Sequence, residues 1–370
     1  MKIAIMTVPF NNNYGGYLQA FALKYVLRAW GHEVIFIIRR RNRIRPNRWR
    51  NLIKYLLHRD SFCQFKYERQ IRKLSIHTSK FERKYLKPWT KEFYNTQSLR
   101  KCRTMNADVF IAGSDQCWRP KFAQGYIDDY FFNFLEGTEK KRISYAASFG
   151  TDELEFSYNM QCKCSKLLKE FSALSVRESS GKILLERYFG IPKEKVQVVL
   201  DPTLLLTPND YSNLIKGLSP PQGNYLFTYI LDEDEGKRNL IRTIAVEKGL
   251  EEVTQKAQTG DIYELKPIEP VELWLSRIFH ASYVVTDSFH GMIFSVLFNK
   301  PFLVYGNKKR GATRFVNFLT QYDLLSRYID DINEEEHFQY DDRIDWGHVN
   351  ELLSKNRLLS LRFLITAITS

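Results

Sequence analysis

Four short polar clusters in this sequence each follow an apolar run that reads as a β-strand. Gly113-Ser114-Asp115-Gln116 follows Asp108–Ala112, and Arg177-Glu178-Ser179-Ser180 follows Leu174–Val176. Asp201-Pro202-Thr203 follows Val198–Leu200, and Asp287-Ser288-Phe289-His290-Gly291 follows Tyr283–Thr286. Strand ends are where α/β sheets carry their active groups. A guanidinium such as Arg177 can grip a carboxylate or phosphate with a two-pronged fork. An imidazole such as His290, or a carboxylate such as Asp115 or Asp201, can move a proton. A helix opening at Gly291 would turn free backbone N–H groups into the same crevice, which suits an anion. Each cluster alone also fits a plain turn, a helix start or a surface ion pair. Their recurrence at strand ends points to a site without naming a reaction.

The elements that must position them alternate. Lys2–Val8 reads as a first strand, and Pro9–Gly16 as a loop rich in Asn and Gly. Tyr17–Trp30 has helical spacing, Gly31 fits a helix C-cap, and Val34–Ile38 is a second strand. Such βαβ units build parallel sheets covered by helices. Residues 39–105 break the rhythm and read as a basic, aromatic, helical insertion. Strands then recur at 107–112, 142–146, 172–176 and 196–200. The composition shifts to Pro, Gly, Ser and Asn around Thr207–Gly223, which sets a boundary. A second α/β series follows, closed by a helix over Trp346–Ile368. The fold class expected is α/β: two doubly wound Rossmann-like domains, 1–206 with its insertion and 207–370, facing each other across a cleft.

The chain has 370 residues, and its 44% hydrophobic content suffices for a large core. No apolar run approaches the roughly 18–20 residues that span a bilayer. The first residues read as a strand and lack the features of a secretory signal. Five cysteines are too few and too scattered for a disulfide framework, and Cys162-Lys-Cys164 is too tight for the usual zinc pair. Free thiols in a reducing cytoplasm are the expectation. No His pair has ligand spacing, so metal-independent chemistry is expected.

The net charge of +13 suggests an anionic partner, and its distribution is local. Between Arg39 and Arg59 there are nine Lys or Arg and no acid, whereas Asp330–Asp345 is acidic. Within 44–59, Trp49, Leu52, Ile53, Leu56 and Leu57 share a helical face flanked by basic residues. Such a helix could lie on an anionic membrane surface or pack on the protein. No stacking or zinc module supports nucleic-acid binding.

Taken together, six stretches resemble the polysaccharide pyruvyl transferase family. They are Asn13–Ala20, Ala112–Trp118, Ile143–Gly150, Ser175–Ser179, Val199–Thr203 and Val285–Gly291, in family order over about residues 1–320. Residues 39–105 carry no family motif. The resemblance implies a GT-B-like fold and transfer of the enolpyruvyl group of phosphoenolpyruvate to a sugar, closed into a cyclic ketal. The sugar would belong to a surface polysaccharide, as in exopolysaccharide or capsule, or to its polyprenyl-diphosphate-linked precursor. It further implies no cofactor beyond the donor. The protein would be cytoplasmic, peripheral on the inner face of the cytoplasmic membrane if 44–59 binds it.

By position, the donor-contacting residues implied are Arg177 and His290, with Ser288, Gly291 and Arg314. Some members carry an arginine where this chain has Ser288, and Arg310 or Arg314 could stand in for it. His290, Asp115 and Asp201 are the catalytic candidates. Asn13, Gly15, Gly16, Gln19 and Ser114 fall on the acceptor side. Two alternatives remain at this stage: a nucleotide-sugar glycosyltransferase of the same architecture, and a non-enzymatic protein that binds anionic surfaces.

Overall fold

Short strands rich in Val, Ile, Phe and Tyr, separated by helices, suit parallel pairing through crossover connections. The computed structural model describes residues 1–10, 13–40, 60–123, 125–219, 221–257, 261–306, 312–330 and 343–370, with backbone alone for 60–65 and 68. The basic segment 44–59, most of the acidic stretch and Arg310 lie outside them.

The first sheet contains β1 (Lys2–Met6), β2 (Glu33–Phe36), β3 (Val109–Ala112) and β4 (Lys141–Ser144), in the order β2-β1-β3-β4. A parallel pair, β5 (Leu174–Val176) and β6 (Val196–Val198), extends it. The Ser144 N–H donates to the Ala173 carbonyl at 3.0 Å, joining the pair to β4. The second sheet holds β7 (Tyr225–Tyr229), β8 (Glu251–Thr254), β9 (Tyr283–Thr286), β10 (Phe302–Tyr305) and β11 (Tyr328–Ile329). Its order is β11-β10-β9-β7-β8, all parallel. Strand order reverses between β1 and β3 and between β7 and β9, which opens a crevice at the carboxyl edge of each sheet. The architecture is that of two Rossmann-like units.

The helices that matter most for the site are defined by their caps. Helix α1 (Tyr14–Ala29) begins before Tyr17, because the Asn13 side chain accepts the Gly15 N–H at 3.1 Å. Residues 208–215, within the stretch whose composition sets the boundary, form a helix, α2 (Pro208–Ile215). Thr207 and Asp210 make a reciprocal capping box there, and Pro208 takes the first turn, where its missing N–H costs nothing. Helices α3 (Val271–His280), α4 (Phe289–Leu297) and α5 (Thr313–Gln321) belong to the second unit. Every residue of α4 is buried, so its apolar sequence is that of a central helix.

The two units share one apolar core. It runs from Ile3 and Ile5 through Tyr14 and Tyr211 to Trp274 and Val284. Tyr14 of α1 stacks on Trp274 of α3 with ring centroids 5.3 Å apart. The insertion contributes as well, since the Ile268 N–H donates to the Leu74 carbonyl at 2.9 Å. The closing helix, α6 (Trp346–Thr369), was expected with the second unit but straddles both. Asn356 bonds the Tyr322 hydroxyl, whereas Phe363 packs on Tyr145 and Ser360 accepts the Leu200 N–H at 3.0 Å. Ser360→Ala should therefore lower unfolding stability by about 1–2 kcal/mol, read from denaturant melts, because it orphans a buried N–H at the first sheet's edge.

Candidate active site

Loops from both sheets converge on one carboxylate. Asp201 follows β6 and is 2% exposed. Its Oδ1 accepts the Thr203 N–H at 3.0 Å and the Thr203 hydroxyl at 2.7 Å. Its Oδ2 accepts the Gln19 amide at 2.5 Å and Arg177 Nη1 at 3.0 Å. His290 Nε2, from the first turn of α4, lies 3.5 Å from the same oxygen. That is an electrostatic contact rather than a good hydrogen bond, and His290 Nε2 is buried with no hydrogen-bond partner. Burial alone would raise the Asp201 pKa. The His290 imidazole, then Arg177 and Thr203, overcome this and hold it well below the ordinary carboxylate range.

Arg177 is correspondingly committed. Its Nε donates to Glu178 at 2.7 Å, Nη1 to Asp201 at 3.0 Å and Nη2 to Ser148 at 3.3 Å. Asp115 Oδ1 stands 4.0 Å from Nη1. Burial opposes its charge, but Glu178, Asp201 and Asp115 hold the guanidinium firmly protonated. Asp115 itself is the more open carboxylate, with a side chain 15% exposed and a left-handed φ of 67°. Few side chains adopt that φ cheaply, and Asp is among them.

Two glycines permit this convergence. A Cβ on Gly15 would sit 2.0 Å from His290 Nδ1, so the imidazole of the second unit lies directly against the first turn of α1. A Cβ on Gly291 would meet the Thr286 hydroxyl at 2.6 Å, so α4 needs glycine to start this close to β9. A Cβ on Gly16 would meet the Asn13 side chain no closer than 3.8 Å, an ordinary contact.

The other expected residues divide. Ser288 caps α4 through the Gly291 N–H, as Asn13 caps α1. Gln19, expected to face an acceptor, is 2% exposed and spends its amide on Asp201. Ser114 offers its carbonyl to the Thr7 hydroxyl, while its own hydroxyl is buried without a partner. Arg314 Cζ lies 4.9 Å from the centre of the Phe289 ring, and Arg177 Cζ lies 4.8 Å from it. Ser148, Thr203 and Phe289 had no individual role in the sequence reading, and Glu178, which fits a surface ion pair with Arg177 by sequence, is buried. Among the described residues, no group of three His, Cys, Asp or Glu side chains converges in a way that could hold a metal ion.

A sequence profile of the family described as polysaccharide pyruvyl transferase matches residues 13–309. The chain belongs to this family. It is accordingly a transferase of polysaccharide biosynthesis, working on a saccharide acceptor. No curated protein matches it closely.

Among solved structures, the chain is similar over 96% of its length to 91% of S. aureus MnaA in a co-structure with UDP, at 14% identity and a TM-score of 0.52. A Rickettsia africae glycosyltransferase is similar over 100% of this chain and 94% of its own, with 9% identity and a TM-score of 0.49. At these identities the likeness concerns fold, which is GT-B-like. No described helix of this pyruvyl transferase is long and apolar enough to cross a membrane.

The depressed Asp201 carboxyl gives a signed pH dependence. Its stabilisation is complete above the ordinary value of 3.8 and is lost as pH falls below it. Asp201→Asn should cost about 3 kcal/mol at neutral pH and flatten the acid limb. Denaturant melts from neutral pH to about pH 3 measure both effects. Gly15→Ala should displace the imidazole and cut activity roughly ten-fold or more, while the melting temperature falls far less than in Asp201→Asn.

Proposed function

We propose that this member transfers the enolpyruvyl group of phosphoenolpyruvate to a sugar and closes it into a cyclic ketal, with no further cofactor. The observation that supports this best is the gathering of His290, Arg177 and Arg314 about Asp201 and Phe289, where the two units join. A small dianionic donor needs cations and N–H groups, together with an acid aimed at its carbon.

In this reading His290 delivers a proton to the donor's methylene carbon, leaving an oxocarbenium-like centre. A sugar hydroxyl adds to that centre and gives its proton to Asp115, the more exposed carboxylate. The second hydroxyl then displaces phosphate, and its proton leaves with the phosphate. Over the cycle one sugar proton replaces the one spent on the methyl group, so His290 and Asp115 return to their starting states. Positive charge and the N–H groups of α4 stabilise the departing phosphate. The acceptor approaches along the first turn of α1, past Gly15 and Gly16. A polyprenyl-diphosphate-linked acceptor would bring the protein to the inner membrane face.

The nucleotide-sugar alternative is less well supported. In the second sheet's crevice the N–H groups of Leu231 and Asp232 are already taken by Asp287, at 2.6 and 3.1 Å. Lys237 Nζ pairs with the same carboxylate at 3.2 Å. A diphosphate placed there would have to displace this internal anion.

Phosphoenolpyruvate should raise the melting temperature, and UDP-sugars should not. With phosphoenolpyruvate and a lipid-linked oligosaccharide, the enzyme should release phosphate and add a pyruvate ketal detectable by mass. His290→Gln should slow this roughly 100-fold. Stabilisation by UDP-sugars instead would favour glycosyl transfer.

A further inference from the structure

The two arginines beside Phe289 are electrostatic opposites. Arg177 is neutralised by Glu178 and Asp201 and has Asp115 at 4.0 Å. Three of its five N–H groups are spent inside the protein. Arg314 has no carboxylate within ion-pair distance among the described residues, and its buried Nε makes no hydrogen bond. Burial, and then Arg177, push its pKa down to about 10. Asp115 and Glu178 offset only part of this, which leaves the guanidinium short of an anion beside it.

Its surroundings suit one. Phe289 opens α4, whose N-terminal N–H groups lie in the same corner. His290, next along, is 5% exposed, and its Nε2 makes no hydrogen bond, with the Asp201 carboxylate 3.5 Å away.

We propose that Arg314, rather than Arg177, is the direct ligand of the donor's phosphate, and that Arg177 is a positioning residue that fixes Asp201 and Glu178. This assignment rests on the reading of the site as a phosphoenolpyruvate site. It commits the dianionic end of the donor to the corner formed by Arg314, Phe289 and the start of α4.

The test is calorimetric titration with inorganic phosphate, alongside thermal melts, for wild type, Arg314→Gln, Arg314→Lys, Arg177→Lys and the exposed control Arg187→Gln. Arg314→Gln should weaken phosphate binding roughly ten-fold or more. Its melting temperature should hold or rise, because an uncompensated buried charge is gone. Arg314→Lys should keep part of the affinity, and Arg187→Gln all of it. Arg177→Lys should lower the melting temperature, yet bind phosphate at low temperature more tightly than Arg314→Gln.

Phosphate affinity unchanged in Arg314→Gln, a larger loss in Arg177→Lys, or no binding to wild type at millimolar phosphate would each overturn the assignment. Arg314-dependent phosphate binding without turnover of phosphoenolpyruvate would leave the assignment standing and defeat the pyruvyl reading. Turnover with phosphate affinity indifferent to Arg314 would do the reverse.

Discussion

The site is organised by one carboxylate with more donors than it has charge. Asp201 receives Gln19 from α1, Arg177 from the end of β5 and Thr203 from its own loop. His290 reaches it from the second unit. A buried carboxylate without such partners would take up a proton or unfold its surroundings. With them it fixes three segments of the first unit relative to each other and sets where the imidazole of the second unit rests. The close approach of α1 to α4 at Gly15 follows from the same constraint, since only a residue without a side chain leaves room for the ring.

Much of this was legible in the sequence because strand ends are legible. Arg177, Asp115, Asp201 and His290 each follow an apolar run, and the structure brings all four together. Their partners were not legible in the same way. Gln19 fell on the acceptor side by resemblance, yet it sits on a helix between the buried Leu18 and Ala20. A polar side chain amid a buried apolar stretch was the available signal that it had an internal partner. Glu178 read as half of a surface ion pair, because nothing in the order of residues says that Ser148 will reach it across the sheet.

The segment near 207 carries two signals at once. Pro, Gly, Ser and Asn set a boundary there by composition. Thr207 and Asp210 are spaced as a capping box, however, and tertiary contact through Tyr211 and Phe294 completes the helix. Helix α6 shows the limit of reading units from chain order. Its first half bonds the second unit and its later residues dock on the first, a distribution decided by packing partners far away in sequence.

The two strand-end crevices are built with opposite economies of charge. In the second sheet the chain supplies its own anion, Asp287, to the N–H groups and the lysine found there. At the junction the chain supplies three acids around Arg177, and among the described residues none within ion-pair distance of Arg314. Internal neutralisation gives fixed geometry but no affinity, because a satisfied charge gains little from a ligand. An uncompensated guanidinium costs stability in the empty protein and returns it on binding. In the proposed reading this unequal compensation puts ligand affinity at the junction between the units, beside Asp115 of one and His290 of the other.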